Sequence, residues 1–360
     1  MIPLSNIEVT QEMKDAAVHA LENEFFVMGE SVFKFEEEFA KYIGTKHAIS
    51  VSSGTNALQL SLIALGIKNR EKVVTSTNSF VASANAILHA GGLPELADIE
   101  VGTGNVDLSK IKRDGVSGVS GIVPVHLYGN PCRIKEIVDY AEDNNMFVVE
   151  DAAQAHGAEF SGKKVGAFGD VGCFSFYSTK NLTVGGDGGM ITTDSDELAE
   201  MLRSLRDCGR KSKYEHIHIG FTSRLNTINA AIGRSQLKHL DSWNEQRRSL
   251  AKEYAKHLSG EMLLKETDSG KAVYHLFVIK AASRDELAEY LKKEGIQTGV
   301  HYPIPIHLQP IYRKMFGFKE GMFPVAEEFA KHALSLPMYP SLGRENVRTV
   351  CEKINSFLGS

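Results

Sequence analysis

Apolar residues follow two different periods along the first two-thirds of the chain. In "SVFKFEEEFAKYIG", Phe35, Phe39 and Ile43 recur at helical spacing and the run stops at Gly44, which predicts a helix. "HAISV" reads as a short buried strand, and "GTNALQLSLIALG" as a helix with a small-residue start and Gly66 beyond its end. "KVVTS", "VASANAILHAGG", "LPELAD", "GIVPVHLYG", "RIKEIVDYAEDNN" and "MFVVED" continue the alternation. Strands separated by helices of this length predict an α/β fold with a mostly parallel sheet covered on both faces.

The pattern changes near Asn226. "NTINAAIGRSQLKHLDSWNEQRRSLAKEYAKHL" reads as one long, largely amphipathic helix. It leads to a smaller α/β unit containing "AVYHLFVI", "RDELAEYLKKEG" and the closing helix "RENVRTVCEKINSFLG". The expected organisation is a large domain over residues 1–240 and a smaller C-terminal domain over 241–360, with no repeats or flexible linker between them.

Composition narrows the partners. The 360 residues are 42% hydrophobic, enough for a sizeable core. A net charge of -5, from 40 basic and 45 acidic residues, gives no electrostatic reason to expect nucleic acid or an anionic membrane. Glu8, Glu12 and Asp15 interrupt any signal-peptide core, and no run is long and apolar enough to span a bilayer, so the protein is expected in the cytoplasm. Cys132, Cys173, Cys208 and Cys351 are scattered without a Cys-x-x-Cys pair, which favours reduced structural thiols over zinc or disulfides.

Three segments carry chemistry. In "VVEDAAQAHG", Glu150 and Asp151 sit where a buried strand should end, and sites in open α/β sheets form outside the carboxyl ends of strands. An aspartate there can hold a buried cation such as a protonated ring nitrogen or a metal, or it can cap a helix. In "SVSSGTNAL", Ser52 to Thr55 lie between a strand and a helix, where first-turn N–H groups bind phosphate and Gly54 admits close approach; a capping turn is the alternative. In "GCFSFYSTKNLTVGGDGGMI", Lys180 follows Ser175, Ser178 and Thr179 and precedes Gly185, Gly186, Asp187, Gly188 and Gly189. A lysine that condenses with an aldehyde must be able to lose its proton, which desolvation or a nearby cation favours; a solvated turn lysine is the alternative. Together the segments ask for a phosphate, a protonated ring nitrogen and an aldehyde. Pyridoxal 5'-phosphate (PLP) has all three.

These residues resemble the sugar-nucleotide aminotransferases of the DegT/DnrJ/EryC1/StrS family. The resemblance runs nearly end to end, through "FKFEEEFAKYIGTKHAISVSSGTNAL", "NSFVASANAILHAGG", "VEDAAQAHGAEFSGKKVGAFGDVGCFSFYSTKNLTVGGDGGMITT", "GVHYPIPIHLQP" and "LSLPMYPSL". It implies the PLP fold of type I. It also implies that Lys180 is the catalytic, Schiff-base lysine, that Asp151 partners the pyridine nitrogen, and that Gln154 sits near the ring hydroxyl. Phe80 would stack on the ring, and Gly54, Thr55 and Ser175 would cradle the phosphate. Core packing is the rival role for Phe80. Family members commonly carry Gly-x-Asn-x-Arg where this chain has "GFTSR", so Thr222 stands where an asparagine reaches the partner subunit's cofactor phosphate. His301, Tyr302 and His307, in "GVHYPIPIHLQP", would line the substrate cleft; a proline-stiffened surface turn is the rival. "FFVMGESV" matches a segment near the nucleotide site, and His126 reads as a satisfied residue at a strand end.

The implied reaction has two halves in a homodimer whose active site lies at the subunit interface. An amino acid, by family habit L-glutamate, gives its amino group to the cofactor, forming pyridoxamine 5'-phosphate, which then aminates a keto group of a nucleotide-linked sugar. The rivals are a dehydratase using the same cofactor, in which histidine replaces the lysine, and a non-catalytic regulatory member. A nicotinamide dehydrogenase is disfavoured, because the sequence holds no Gly-x-Gly-x-x-Gly between a first strand and helix.

Overall fold

The structure, a computed structural model, describes residues 1–114 and 118–359. Seven strands form the central sheet: β1 (His47–Val51), β2 (Lys72–Ser76), β3 (Leu93–Ala97), β4 (Val119–Val123), β5 (Phe147–Asp151), β6 (Val171–Ser175) and β7 (Gly189–Thr193). Their spatial order is β1-β7-β6-β5-β4-β2-β3. Strands β2 to β6 run parallel, and β7 is antiparallel to both neighbours, β1 and β6.

Register brings the chemistry-bearing segments to one edge. Asp151 pairs with Cys173, Ser175 with Gly189, and Gly189 with Val51. The carboxyl ends of β1, β5 and β6 therefore open on the same side, and "SSGT", "EDAAQ" and "SFYSTK" all leave from there.

Both sheet faces are covered. On one, Phe35 and Phe39 from the helix Glu30–Ile43 meet Phe174 and Phe176, and all four are fully buried. Phe39 and Phe174 meet edge to face with ring centroids 5.0 Å apart. Burying each such ring contributes roughly 1.5–3 kcal/mol. On the other face, Leu58, Leu60 and Leu62 from the helix Gly54–Ala64 pack in one cluster with Val149, Val171 and Ile191. Gly44 ends the helix Glu30–Ile43 at φ 88°, a left-handed stop that suits glycine.

The 31-residue helix Thr227–His257 starts at Asn226, whose side chain accepts from Asn229 N–H. Its Ala230 and Leu240 belong to the aromatic cluster on the sheet. Its Leu250 and Tyr254 belong to a second cluster with Ile279, Leu287, Leu291, Leu336 and Val350. That cluster surrounds a two-stranded antiparallel ribbon, Phe277–Lys280 with Ala333–Leu336. The N-terminal residues return to this second unit, where Ile2 pairs with Ile296 and Met338 N–H donates to Leu4 C=O at 3.0 Å. The four cysteines are free, and no helix among the described residues is long and apolar enough to cross a membrane.

Candidate active site

Strand alternation separates the two carboxylates that end β5. Glu150 turns inward, without solvent exposure, and accepts from the N–H groups of Gly166 (2.8 Å), Phe168 (2.7 Å) and Gly169 (2.9 Å). It also accepts from His126 Nε2 at 3.0 Å. Cys132 N–H donates to Nδ1 of the same imidazole at 3.1 Å, so the proton of His126 sits on Nε2.

Asp151 turns the other way, into a cavity of about 600 Å³ at the sheet edge. Turns, not a helix, follow it, so its carboxylate caps no helix. Its Oδ2 accepts from Ser83 Oγ at 2.7 Å and its Oδ1 from Ala153 N–H at 3.2 Å. Its backbone is pinned to the strand beyond β4, donating to Pro124 C=O at 2.8 Å and accepting from His126 N–H at 3.0 Å. Burial pushes the Asp151 carboxyl above its ordinary value, with Ser83, Ala153 and Lys180 acting against that rise.

Lys180 enters the same cavity from the loop after β6, where its N–H donates to Tyr177 C=O at 2.9 Å. No side-chain hydrogen bond or ion pair among the described residues holds its ammonium. Burial lowers its pKa to about 8, and the negative charge of Asp151 opposes the drop.

The helix Gly54–Ala64 points its start at this cavity. Ser53 Oγ takes up Asn56 N–H at 3.1 Å, and the first intrahelical bond runs from Ala57 N–H to Ser53 C=O at 2.9 Å. The N–H groups of Gly54 and Thr55 are left for another acceptor, at the positive end of the helix dipole. Two glycines allow this convergence. A Cβ on Gly54 would lie 2.7 Å from Ser175 Cβ, and one on Gly189 would lie 2.5 Å from the Ser53 carbonyl.

The cavity gathers Gly54, Thr55, Ser175, Asp151 and Lys180 from the large sheet, together with Phe80 and Gln154. His301 and Tyr302 close it from the C-terminal segment. Phe80 is 53% exposed, which excludes simple core packing, and its ring lies 5.8 Å from that of Tyr302. Burial holds the His301 imidazole below its ordinary pKa, and burial pushes the Tyr302 hydroxyl up to about 12.

His307 and Thr222 do not line this cavity. His307, expected in the substrate cleft, is fully enclosed and is not among the residues that line this cavity. Its Nδ1 lies 2.8 Å from Thr77 Oγ1 and its Nε2 2.9 Å from Glu327 Oε1, so both ring nitrogens are already engaged. Thr222 is exposed, away from the cavity, with its hydroxyl 3.4 Å from Cys208 Sγ.

The sequence reading missed other residues in the wall: Ser79, Ser83 and His275, and Leu4 from the N-terminal segment. Ser83 reads in sequence as a serine near a helix start, and His275 lies in an apolar run. Neither carries a local signal that separates site from structure.

Residues 8–355 match the DegT/DnrJ/EryC1/StrS aminotransferase family. The chain is 42% identical over 337 residues to the pleiotropic regulatory protein of Geobacillus stearothermophilus, covering 92% of this chain and 90% of that protein. It is 38% identical over 356 residues to the dTDP-3-amino-3,4,6-trideoxy-alpha-D-glucose transaminase of Streptomyces venezuelae, covering 97% and 93%. The solved structure of S. venezuelae DesV in complex with a ketimine intermediate superposes with a TM-score of 0.93 at 38% identity, covering 96% of this chain and 94% of that one.

Proposed function

The chain belongs to the DegT/DnrJ/EryC1/StrS aminotransferase family, and on that premise we propose that it is a PLP-dependent transaminase that moves an amino group from L-glutamate to the keto group of a nucleotide-linked sugar. The observation that carries the reading is the convergence in one cavity of a lysine and a buried carboxylate, neither with an ion-pair partner among the described residues, and an open helix start.

That set fits the cofactor part by part. The free N–H groups of Gly54 and Thr55, with Ser175 beside them, offer donors for a phosphate. Asp151 offers a negative charge to a protonated ring nitrogen, and such a cation would offset the desolvation that its carboxylate bears. Lys180 offers an amine for the aldehyde, and Phe80 an apolar face for the ring. When bound, PLP supplies an electron sink that eases loss of a proton from the carbon bearing the amino group. Lys180 would take that proton and return it, a task suited to an amine whose pKa lies near the working pH. Gln154 and Tyr302, bonded to each other at 3.1 Å, would shape the wall above the ring, with His301 and Tyr302 facing the sugar nucleotide.

We further read the protein as a cytoplasmic homodimer of two-domain subunits, divided near residue 240. Phe25 and Ile219, 85% and 95% exposed, support a covered surface, and the exposed Thr222 would then face the partner's cofactor phosphate.

A panel of keto-sugar nucleotides incubated with glutamate, read by product mass, tests the reading. An amino sugar supports it. A deoxy product would indicate the dehydratase, and no turnover with any substrate a regulatory role of the kind named in the Geobacillus relative.

A further inference from the structure

We propose that Ser79 and Ser83 form a directed hydroxyl relay that keeps the Asp151 carboxylate ionised, making Ser83 a positioning residue for the cofactor's ring-nitrogen partner. The inference deepens the proposed function and rests on it.

Proton counting fixes the direction of the relay. Ser83 Oγ carries one proton and has three neighbours that could accept it: Asp151 Oδ2 at 2.7 Å, Ser79 Oγ at 2.9 Å and Phe80 C=O at 3.3 Å. The carboxylate is both the nearest and the charged acceptor, so it takes the proton. The Ser79–Ser83 contact must then run the other way, with Ser79 donating. The result is a chain from Ser79 through Ser83 to Asp151, aimed at the negative charge.

The position of Ser83 supports this use. It is the second residue of the helix Ala82–His89, within one turn of the N-cap position Val81, which has no capping side chain, and its hydroxyl serves Asp151. Ser79, Ser83 and Asp151 are 4%, 1% and 5% exposed, so bulk water is poorly placed to replace a lost donor. Ser83 is the only donor to Oδ2 among the described residues. Burial already favours the neutral acid at Asp151, and a neutral acid would not hold a protonated ring nitrogen by charge.

The test uses full-length Ser83→Ala, Ser83→Thr and Ser79→Ala proteins, each in apo and PLP-loaded form. PLP dissociation constants are measured by absorbance. The Asp151 carboxyl of the apoprotein is titrated by infrared difference spectroscopy with labelled aspartate, using Asp151→Asn as the blank. Ser83→Ala should weaken PLP binding about tenfold, as expected for loss of a hydrogen bond to a charged group, and move the carboxyl titration to higher pH. Ser83→Thr, which keeps a hydroxyl, should restore both, and Ser79→Ala should shift both less, in the same direction. Affinity within twofold of wild type with an unmoved titration in Ser83→Ala would overturn the relay. Should Ser83→Ala lack a cooperative thermal transition, Ser79→Ala decides, and an unchanged titration there overturns it. A wild type that binds no PLP would instead remove the proposed function.

Discussion

Gln154 Nε2 donates to the Tyr302 hydroxyl at 3.1 Å, while its Oε1 accepts from Tyr128 N–H at 2.7 Å. Tyr128 in turn donates from its hydroxyl to the His301 carbonyl. A ring of bonds thus joins the loop after β5 to the C-terminal segment across the cavity. Tyr302→Phe removes one neutral hydrogen bond, a change of about 1 kcal/mol, and leaves the ring beside Phe80. Steady-state kinetics should show a higher KM for the sugar nucleotide with a smaller change in kcat. An unchanged KM would separate Tyr302 from the substrate.

The reactivity of Lys180 should depend on pH with a predictable sign. Burial lowers its pKa to about 8, so below that pH each unit of acidification removes about nine-tenths of the neutral amine. The rate of PLP uptake by the apoprotein, followed by absorbance, should rise with pH and level off above 8. Asp151→Asn removes the charge that opposes the drop and should move the inflection lower.

Glu150 should matter for stability through contacts it makes away from the cavity. Glu150→Ala leaves three backbone N–H groups and His126 Nε2 without their acceptor, a loss of about 3–5 kcal/mol. Urea unfolding should show a large fall in midpoint, with Glu150→Gln between the two because one acceptor oxygen remains.

His307 distinguishes a buried network from a substrate contact. His307→Phe leaves Thr77 and Glu327 without the imidazole and should destabilise the fold by about 1–3 kcal/mol. The KM for the sugar nucleotide should stay within twofold of wild type. A large rise in KM without loss of stability would return His307 to the cleft.

The strands β1 to β5 and the long helix are legible because period and length distinguish them: "KVVTS" coincides with β2, and the amphipathic run from Asn226 becomes Thr227–His257. Strand β7 is not legible, since its first residue, Gly189, reads with the glycines before it as a turn; Gly189 is there because β7 passes within contact distance of Ser53. Lys180 and Asp151 stand out because charge beside buried or glycine-rich sequence needs a reason. Ser83 does not, because a serine near a helix start satisfies local rules whether or not a carboxylate lies opposite. His307 misleads for a related reason: proline-rich sequence suggests surface, yet Thr77 and Glu327, distant in the chain, enclose it. Glu150 and Asp151 look alike in sequence, and only the pleat of β5 separates a structural carboxylate from one that faces the cavity.

Covalent attachment of PLP at Lys180 underlies every step of the proposed reaction. Borohydride reduction of the PLP-loaded protein, followed by peptide mass mapping, should place one reduced cofactor on the peptide carrying Lys180, and Lys180→Ala should carry none. A label on a different lysine, or an unlabelled Lys180 in protein saturated with PLP, would contradict it.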